Sequence, residues 1–262
     1  MRNLGFYAAA VIASWSGPTE GSSASQDQPP LSAADLNGQA DKLRLFQPKD
    51  EFDTPSAQMS VAGRRFSIDV QPWGSNTPPV ACFGYPMWSY DSANGTLYVS
   101  TGAHQLMLST FLSKQGTITK KATPDVWAEK VHYFASDCVR TDLPSYTASN
   151  AYGAEFRIDP TLQTITAVAD SVPEGATITK SFEMKAPGAE ARSLVRNLRV
   201  RFSGVLADWK PGVPVACASR RDGPTAGSPY DRKFDLCLFN GHIDLIELLD
   251  VRTGRALQTF TR

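Results

Sequence analysis

The last third of the chain most constrains what it can fold into. Leu236-Cys237-Leu238-Phe239 is a short apolar run. Asn240-Gly241 follows, and then His242-Ile243-Asp244-Leu245-Ile246-Glu247-Leu248-Leu249. Asn-Gly supplies the positive φ angles of a tight hairpin turn, so this pattern predicts two antiparallel strands joined at 240–241. A second turn, Asp250-Val251-Arg252-Thr253-Gly254, leads into Arg255–Phe260. The expectation is a C-terminal three-stranded meander, pinned to a preceding strand by Cys217.

Similar grammar recurs upstream. Arg65–Val70 alternates polar and apolar residues, the pattern of a half-buried strand. Pro86–Tyr90 and Thr96–Ser100 flank Asn94-Gly95, a second hairpin signal. Trp127–Phe134 reads as a strand ahead of Cys138, and Leu106–Leu112 is ambiguous between strand and helix. Gly153–Ile158 and Leu162–Val168 flank Asp159-Pro160 as a third hairpin, and Thr177–Met184 is a further strand. Leu198–Phe202 places Leu198, Val200 and Phe202 on one face and Arg199 and Arg201 on the other. Val213–Ala218 carries Cys217, and residues 219–231 (SRRDGPTAGSPYD) read as a long polar loop.

Helix signals are few. Ser32 can cap a segment with Leu36, Ala40 and Leu43 on one side. Pro187 suits the first turn of a helix running to Val195, with Asn197 to stop it. Hydrophobic residues make up 42% of the 262, enough for a core. These readings predict a mainly β chain: an antiparallel β-sandwich or partly open barrel with one or two short helices. The break near 171–176 either divides β-rich regions 59–175 and 176–262 or is a loop within one domain.

Residues 1–24 match a secretory signal peptide in order and scale. Arg2 precedes the apolar run Leu4–Ala13, and Ser22-Ser23-Ala24 is a small-residue cleavage pattern. Residues 25–58 then read as a flexible linker with the short helix inside it. The apolar run is too short to span a bilayer, and no later stretch is long enough either. The four cysteines, Cys82, Cys138, Cys217 and Cys237, agree with export, because none sits in a C-x-x-C pair. Pairing within each half of the chain gives Cys82–Cys138 and Cys217–Cys237. The expected location is periplasmic or secreted, with no transmembrane segment in the mature chain.

A formal net charge of zero argues against a general nucleic-acid binder. The mild basic excess of the last third, led by Arg192, Arg196, Arg199 and Arg201, reads as a solvated face. No nucleophile elbow, phosphate loop, dinucleotide fingerprint or zinc-protease motif is present. Ser100, Ser109, His132 and Asp137 have no spacing that enforces a triad. His242 and Asp244 share a strand face, but a histidine beside a turn is usually solvated. Asp69, Asp91, Asp137 and Glu155 are candidates for a glycosidase pair only if the fold gathers them. No catalytic residue, metal or cofactor is therefore assigned.

Two clusters point to binding. Trp73, Phe83, Tyr85, Trp88, Tyr90 and Tyr98 gather around one hairpin. Flat aromatic faces stack on sugars and other ligands, yet aromatics are also ordinary β-core residues. The loop 219–231, with Arg220, Arg221 and Tyr230, is the second recognition surface. The candidate ligand-binding residues are Trp73, Tyr85, Trp88, Tyr90, Arg220, Arg221 and Tyr230. The expected role is an exported, non-enzymatic module binding a protein or carbohydrate. The alternatives are a secreted carbohydrate hydrolase with a carboxylate pair and a structural envelope component.

Overall fold

The computed structural model describes residues 28–45, 61–74, 86–101, 104–107, 117–120, 130–150, 152–170, 180–209, 215–225 and 230–262. The chain is mainly β, with several sheets built largely from antiparallel strands, two helices and no closed barrel among these residues. Its strands are β1 (Arg65–Val70), β2 (Trp73–Gly74), β3 (Met87–Asp91), β4 (Thr96–Ser100), β5 (His104–Met107), β6 (Thr117–Lys120), β7 (Lys130–Asp142) and β8 (Tyr146–Ser149). β9 (Glu155–Ile158), β10 (Thr161–Asp170), β11 (Ser181–Lys185), β12 (Leu198–Ala207), β13 (Val215–Asp222), β14 (Arg232–Asp250) and β15 (Arg255–Thr261) follow. The helices are α1 (Ala33–Leu45) and α2 (Gly188–Asn197).

β14 is the spine. It is one unbroken strand of 19 residues, so the expected hairpin at Asn240-Gly241 does not form. Its first half pairs with β10 in parallel and with β13 antiparallel. Its second half pairs antiparallel with β12 and β15. The exchange of partners falls at 240–241, where Asn240 and Gly241 pair with both β10 and β12. Ladder bonds on both sides outweigh the local turn preference of the dipeptide. Gly241 serves close approach instead: a Cβ there would lie 2.9 Å from Val168 Cγ1 and 3.1 Å from Phe66 Cε1. Asn240 is buried and donates its side-chain N–H to the Asp208 carbonyl at 3.0 Å. Of the expected C-terminal meander, only the turn at 251–254 joins a hairpin, between β14 and β15.

Local signals hold where the chain needs them to. β1 buries Phe66, Ile68 and Val70, while Arg65 and Asp69 are exposed and Ser67 is half-buried. The β3–β4 hairpin turns at Asn94-Gly95, with Gly95 at φ +58°. Ser32 and Asp35 cap α1 reciprocally: Ser32 N–H donates to the Asp35 carboxylate at 2.8 Å, and Asp35 N–H to Ser32 Oγ at 3.3 Å. Gly38 does not interrupt the helix, because Leu36 and Ala40 are fully buried and hold it to the body. α2 follows Pro187, buries Ala191 and ends at Asn197, whose side chain returns a hydrogen bond to the Ser193 carbonyl.

Other boundaries move. β9 and β10 form no hairpin across Asp159-Pro160, because β9 pairs with β8 while β10 lies between β7 and β14. The last six residues of β10 are all buried, which a central strand requires. β7 begins after Trp127 and runs through Cys138. β11 occupies the end of the expected 177–184 strand, and β5 the start of 106–112. β13 continues to Asp222, so the expected loop 219–231 starts instead at Gly223.

A second sheet, ordered β11-β4-β3-β2, packs on the first. One core joins them. It combines Leu97, Val99 and Phe182 of the second sheet with Phe66, Ile68, Phe202, Phe239 and Ile246 of the first, and with Leu36 and Ala40 of α1. The 59–175 and 176–262 stretches thus share a sheet and a core, since β1 pairs with β12 and β10 with β14. Cys217 and Cys237 are cross-strand partners on β13 and β14 and form a disulfide. Cys138 is also disulfide-bonded, to a partner outside the described residues, where Cys82 lies.

Candidate functional site

The predicted binding residues separate into two places. Trp88 and Tyr90 share a face of β3, as the pleat requires, and both are half-buried against the core. The Tyr90 hydroxyl donates to the Ala186 carbonyl at 3.1 Å. Trp73 lies on β2, beside β3, and is half-buried; its backbone N–H donates to the Pro86 carbonyl at 3.1 Å. A Cβ on Gly74 would fall 2.9 Å from the Trp88 ring, so the glycine lets that ring lie flat against the backbone. Trp88 and Tyr90 join the second sheet to the core. Phe83 and Tyr85 lie outside the described residues.

Arg220, Arg221 and Tyr230 lie at one end of the large sheet, and the topology explains what gathers there. β7 and β10 are antiparallel neighbours whose last pair is Asp142 with Thr161. The connection between them, 143–160, folds back as its own two-stranded ribbon, β8–β9. On the other flank of β14, β13 ends with Asp222 opposite Arg232. Arg232 is thus bracketed by Thr161 and Asp222. The ribbon and the β13–β14 connection meet there.

A salt-bridged clamp joins them. Arg221 donates through Nε and Nη2 to the two oxygens of Asp231, at 2.9 and 2.6 Å. Tyr146 of β8 donates its hydroxyl to Asp231 Oδ2 at 3.0 Å. The Asp231 backbone carbonyl accepts from Thr161 N–H at 2.9 Å. The carboxylate is 5% exposed while its guanidinium partner is 59% exposed, so the clamp has a buried anion and a wet cation. Hydrogen bonds from Arg221, then from Tyr146, hold the Asp231 carboxyl below the usual carboxylate range against its burial. Desolvation, then the hydrogen bond to that carboxylate, push the Tyr146 phenol above its ordinary value. The neighbouring charges are paired as well: Arg220 binds Asp222 through two hydrogen bonds of 2.6 and 2.7 Å. Arg232 stacks over the Tyr230 ring at 5.1 Å.

Between ribbon and connection lies a pocket of about 250 Å³ lined by Ala148, Ser149, Asn150, Phe156, Ile158, Pro224 and Thr225. Register explains the wall: Tyr146 pairs with Ile158 and Ala148 with Phe156, so these four share one face of the ribbon. The tip is a built turn. The Asn150 side-chain carbonyl accepts from Tyr152 N–H at 2.9 Å and Ala154 N–H at 3.0 Å, and Gly153 takes φ +78°. Tyr152 of the tip is 95% and Phe156 of the pocket wall 41% exposed, and Tyr230, next to Asp231 in the chain, is 58% exposed. Sequence reading singled out Tyr230 and the two arginines but missed Tyr146, Tyr152 and Phe156. The available signal was Phe156 between Glu155 and Arg157, an aromatic residue whose neighbours on both sides are charged.

Of the chemical candidates, Glu155 lies on β9 opposite Ser149, and the others are held elsewhere. Asp69 pairs with Arg201 at 2.7 Å. Asp91 caps the β3–β4 turn through Ala93 and Asn94. Asp137 accepts from Asn37 at 2.9 Å, and Asp244 pairs with Arg65 at 3.1 Å beside an exposed His242. Ser109 and the His132 side chain lie outside the described residues. Among the described residues no group of three or more His, Cys, Asp or Glu could hold a metal ion, and no helix is long and apolar enough to cross a membrane. No protein-family model, curated protein or solved structure matches the chain, so its own residues carry the reading of the ribbon groove.

Proposed function

We propose that the chain is an exported, non-enzymatic binding module whose recognition surface is the groove between the β8–β9 ribbon and the β13–β14 connection. The observation that carries this reading is a pocket walled by the exposed Phe156, beside the exposed Tyr152, on a ribbon that the Tyr146–Asp231–Arg221 clamp ties to the sheet, where Tyr230 is also exposed. Aromatic side chains at an accessible rim are the usual anchors of recognition, and a rigid scaffold beneath a loop cluster is where binding residues concentrate. Export is supported by the signal-like residues 1–24 and by the disulfides at Cys138 and at Cys217–Cys237. The reading of binding rather than chemistry is supported by the clamp, whose Arg221, Asp231 and Tyr146 side chains are engaged with one another.

Two measurements test this on protein purified from its native medium or envelope without reductant. Peptide mass spectrometry should give a mature N-terminus near Ala24 and a Cys217–Cys237 cross-link. An intact Met1 with free thiols removes the export half of the reading. Crude extracellular extract titrated into isotope-labelled protein should shift amides of the ribbon and of 223–225 first. Shifts confined to the β3–β4 hairpin would move the site there.

A further inference from the structure

We infer that the ribbon groove takes one ring of a neutral saccharide; this rests on the binding-module reading above and adds the ligand's chemical class. The lining has two parts. Phe156, Ile158, Ala148 and Pro224 give an apolar wall, and Ser149, Asn150 and Thr225 give neutral polar groups. No charged side chain is among these lining residues.

The acids of the clamp and of the β13 end are also spent. Asp231 is taken by Arg221 and Tyr146, and Asp222 by Arg220. Arg232 lies over the Tyr230 ring. An anionic ligand would therefore have to compete with these contacts to find a counter-charge. A purely apolar ligand would leave the polar lining without partners.

Asn150 sharpens the choice. Its side-chain carbonyl is used twice, by Tyr152 N–H and Ala154 N–H, which fixes the amide and leaves Nδ2 as its remaining donor. Among the described residues no partner is recorded for Nδ2, or for the Ser149 and Thr225 hydroxyls. A sugar ring matches this set. One face carries C–H groups that stack on an aromatic ring, and the rim carries hydroxyls that accept from an amide and exchange hydrogen bonds with hydroxyls. A pocket of about 250 Å³ holds one such ring with neighbouring units in solvent.

The test uses the full mature chain with oligomers of glucose, mannose, xylose and N-acetylglucosamine, and polygalacturonate as the anionic comparison. Saturation-transfer NMR and amide shifts are the readouts. At least one neutral oligomer should bind at about 1 mM, with shifts at Asn150, Phe156 and Thr225. Phe156→Ala should weaken it about tenfold, while Phe156→Tyr keeps it. Asn150→Asp keeps the two turn bonds but replaces the donor with a charged oxygen, and should weaken it at least as much. All three variants should keep the parent melting temperature, since these side chains lie at the surface.

Binding of polygalacturonate alone, or of no oligomer, overturns the saccharide assignment. A non-saccharide ligand from the extract that shifts the same amides and is lost in Phe156→Ala would overturn it too, yet leave the binding-module reading standing. Shifts away from the groove for every ligand would remove both.

Discussion

At residue scale, two glycines decide how the strands come together. Gly204 sits at the irregularity between Ser203 and Gly204 in the β12–β14 ladder, and a Cβ there would lie 2.0 Å from the His242 carbonyl oxygen. That contact is with backbone and cannot be relieved by a rotamer change. Gly241 faces side chains, Val168 and Phe66, which can shift. Gly241→Ala should therefore cost about 1–3 kcal/mol, the usual cost of overpacking, and Gly204→Ala clearly more. Urea unfolding of the two variants checks the order, and equal costs would contradict the distinction between backbone and side-chain clash. Asn-Gly occurs twice in positions that read alike. Asn94-Gly95 is an exposed turn and Asn240-Gly241 is buried mid-strand. The dipeptide's preference is of the order of 1 kcal/mol, and a ladder on both sides exceeds it.

At the scale of elements, the β8–β9 ribbon pairs with no other strand among the described residues, and the hydrogen bond from Tyr146 to Asp231 tethers it to the large sheet. The Asp231 carboxyl is lowered in the folded state, so it stabilises docking fully above the ordinary carboxylate value of about 4, and that contribution is lost as pH falls through the folded value. Tyr146 is raised, so its neutral form is favoured in the fold. Its contribution is full below about pH 10 and is lost as pH rises through its folded value. Protection of ribbon amides, the exchange rate relative to the unfolded chain at the same pH, should therefore be greatest between these limits and fall on both sides. Asp231→Asn should flatten the acid limb while leaving β12 and β14 protected. An acid limb unchanged in that variant would assign it to other carboxylates, such as Asp159 on the same ribbon, which is also lowered, by Ser145 and then Arg157. The disulfide acts on different elements. It closes a loop of 20 residues between β13 and β14, worth about 3 kcal/mol in the chain-entropy account, and so fixes one wall of the groove.

For the whole molecule, the long β14 makes the two β-rich stretches inseparable. β1 has its long pairing with β12, and β10 needs β14. A fragment of residues 59–175 should then lack cooperative unfolding and amide dispersion, whereas the full chain melts in one transition. A folded 59–175 fragment would show that its strands can satisfy each other. The sequence by itself determined the elements whose signals are local. These are β1 and β12 with their alternating faces, the β3–β4 hairpin, the turn between β14 and β15, the cap of α1, the extent of α2 and the mainly β class. It also singled out Arg220, Arg221 and Tyr230, which the fold brings to one end of the large sheet. Only the tertiary structure decided that Asn240-Gly241 stays extended, that β10 leaves β9 for β14, that Trp88 and Tyr90 face the core, and that Tyr146 reaches Asp231 across 85 positions. The physical reason is range. Turn and helix preferences act over a few residues and are worth about 1 kcal/mol, while strand partners and burial depend on segments far apart in the chain, whose combined ladder bonds and buried area exceed any local preference.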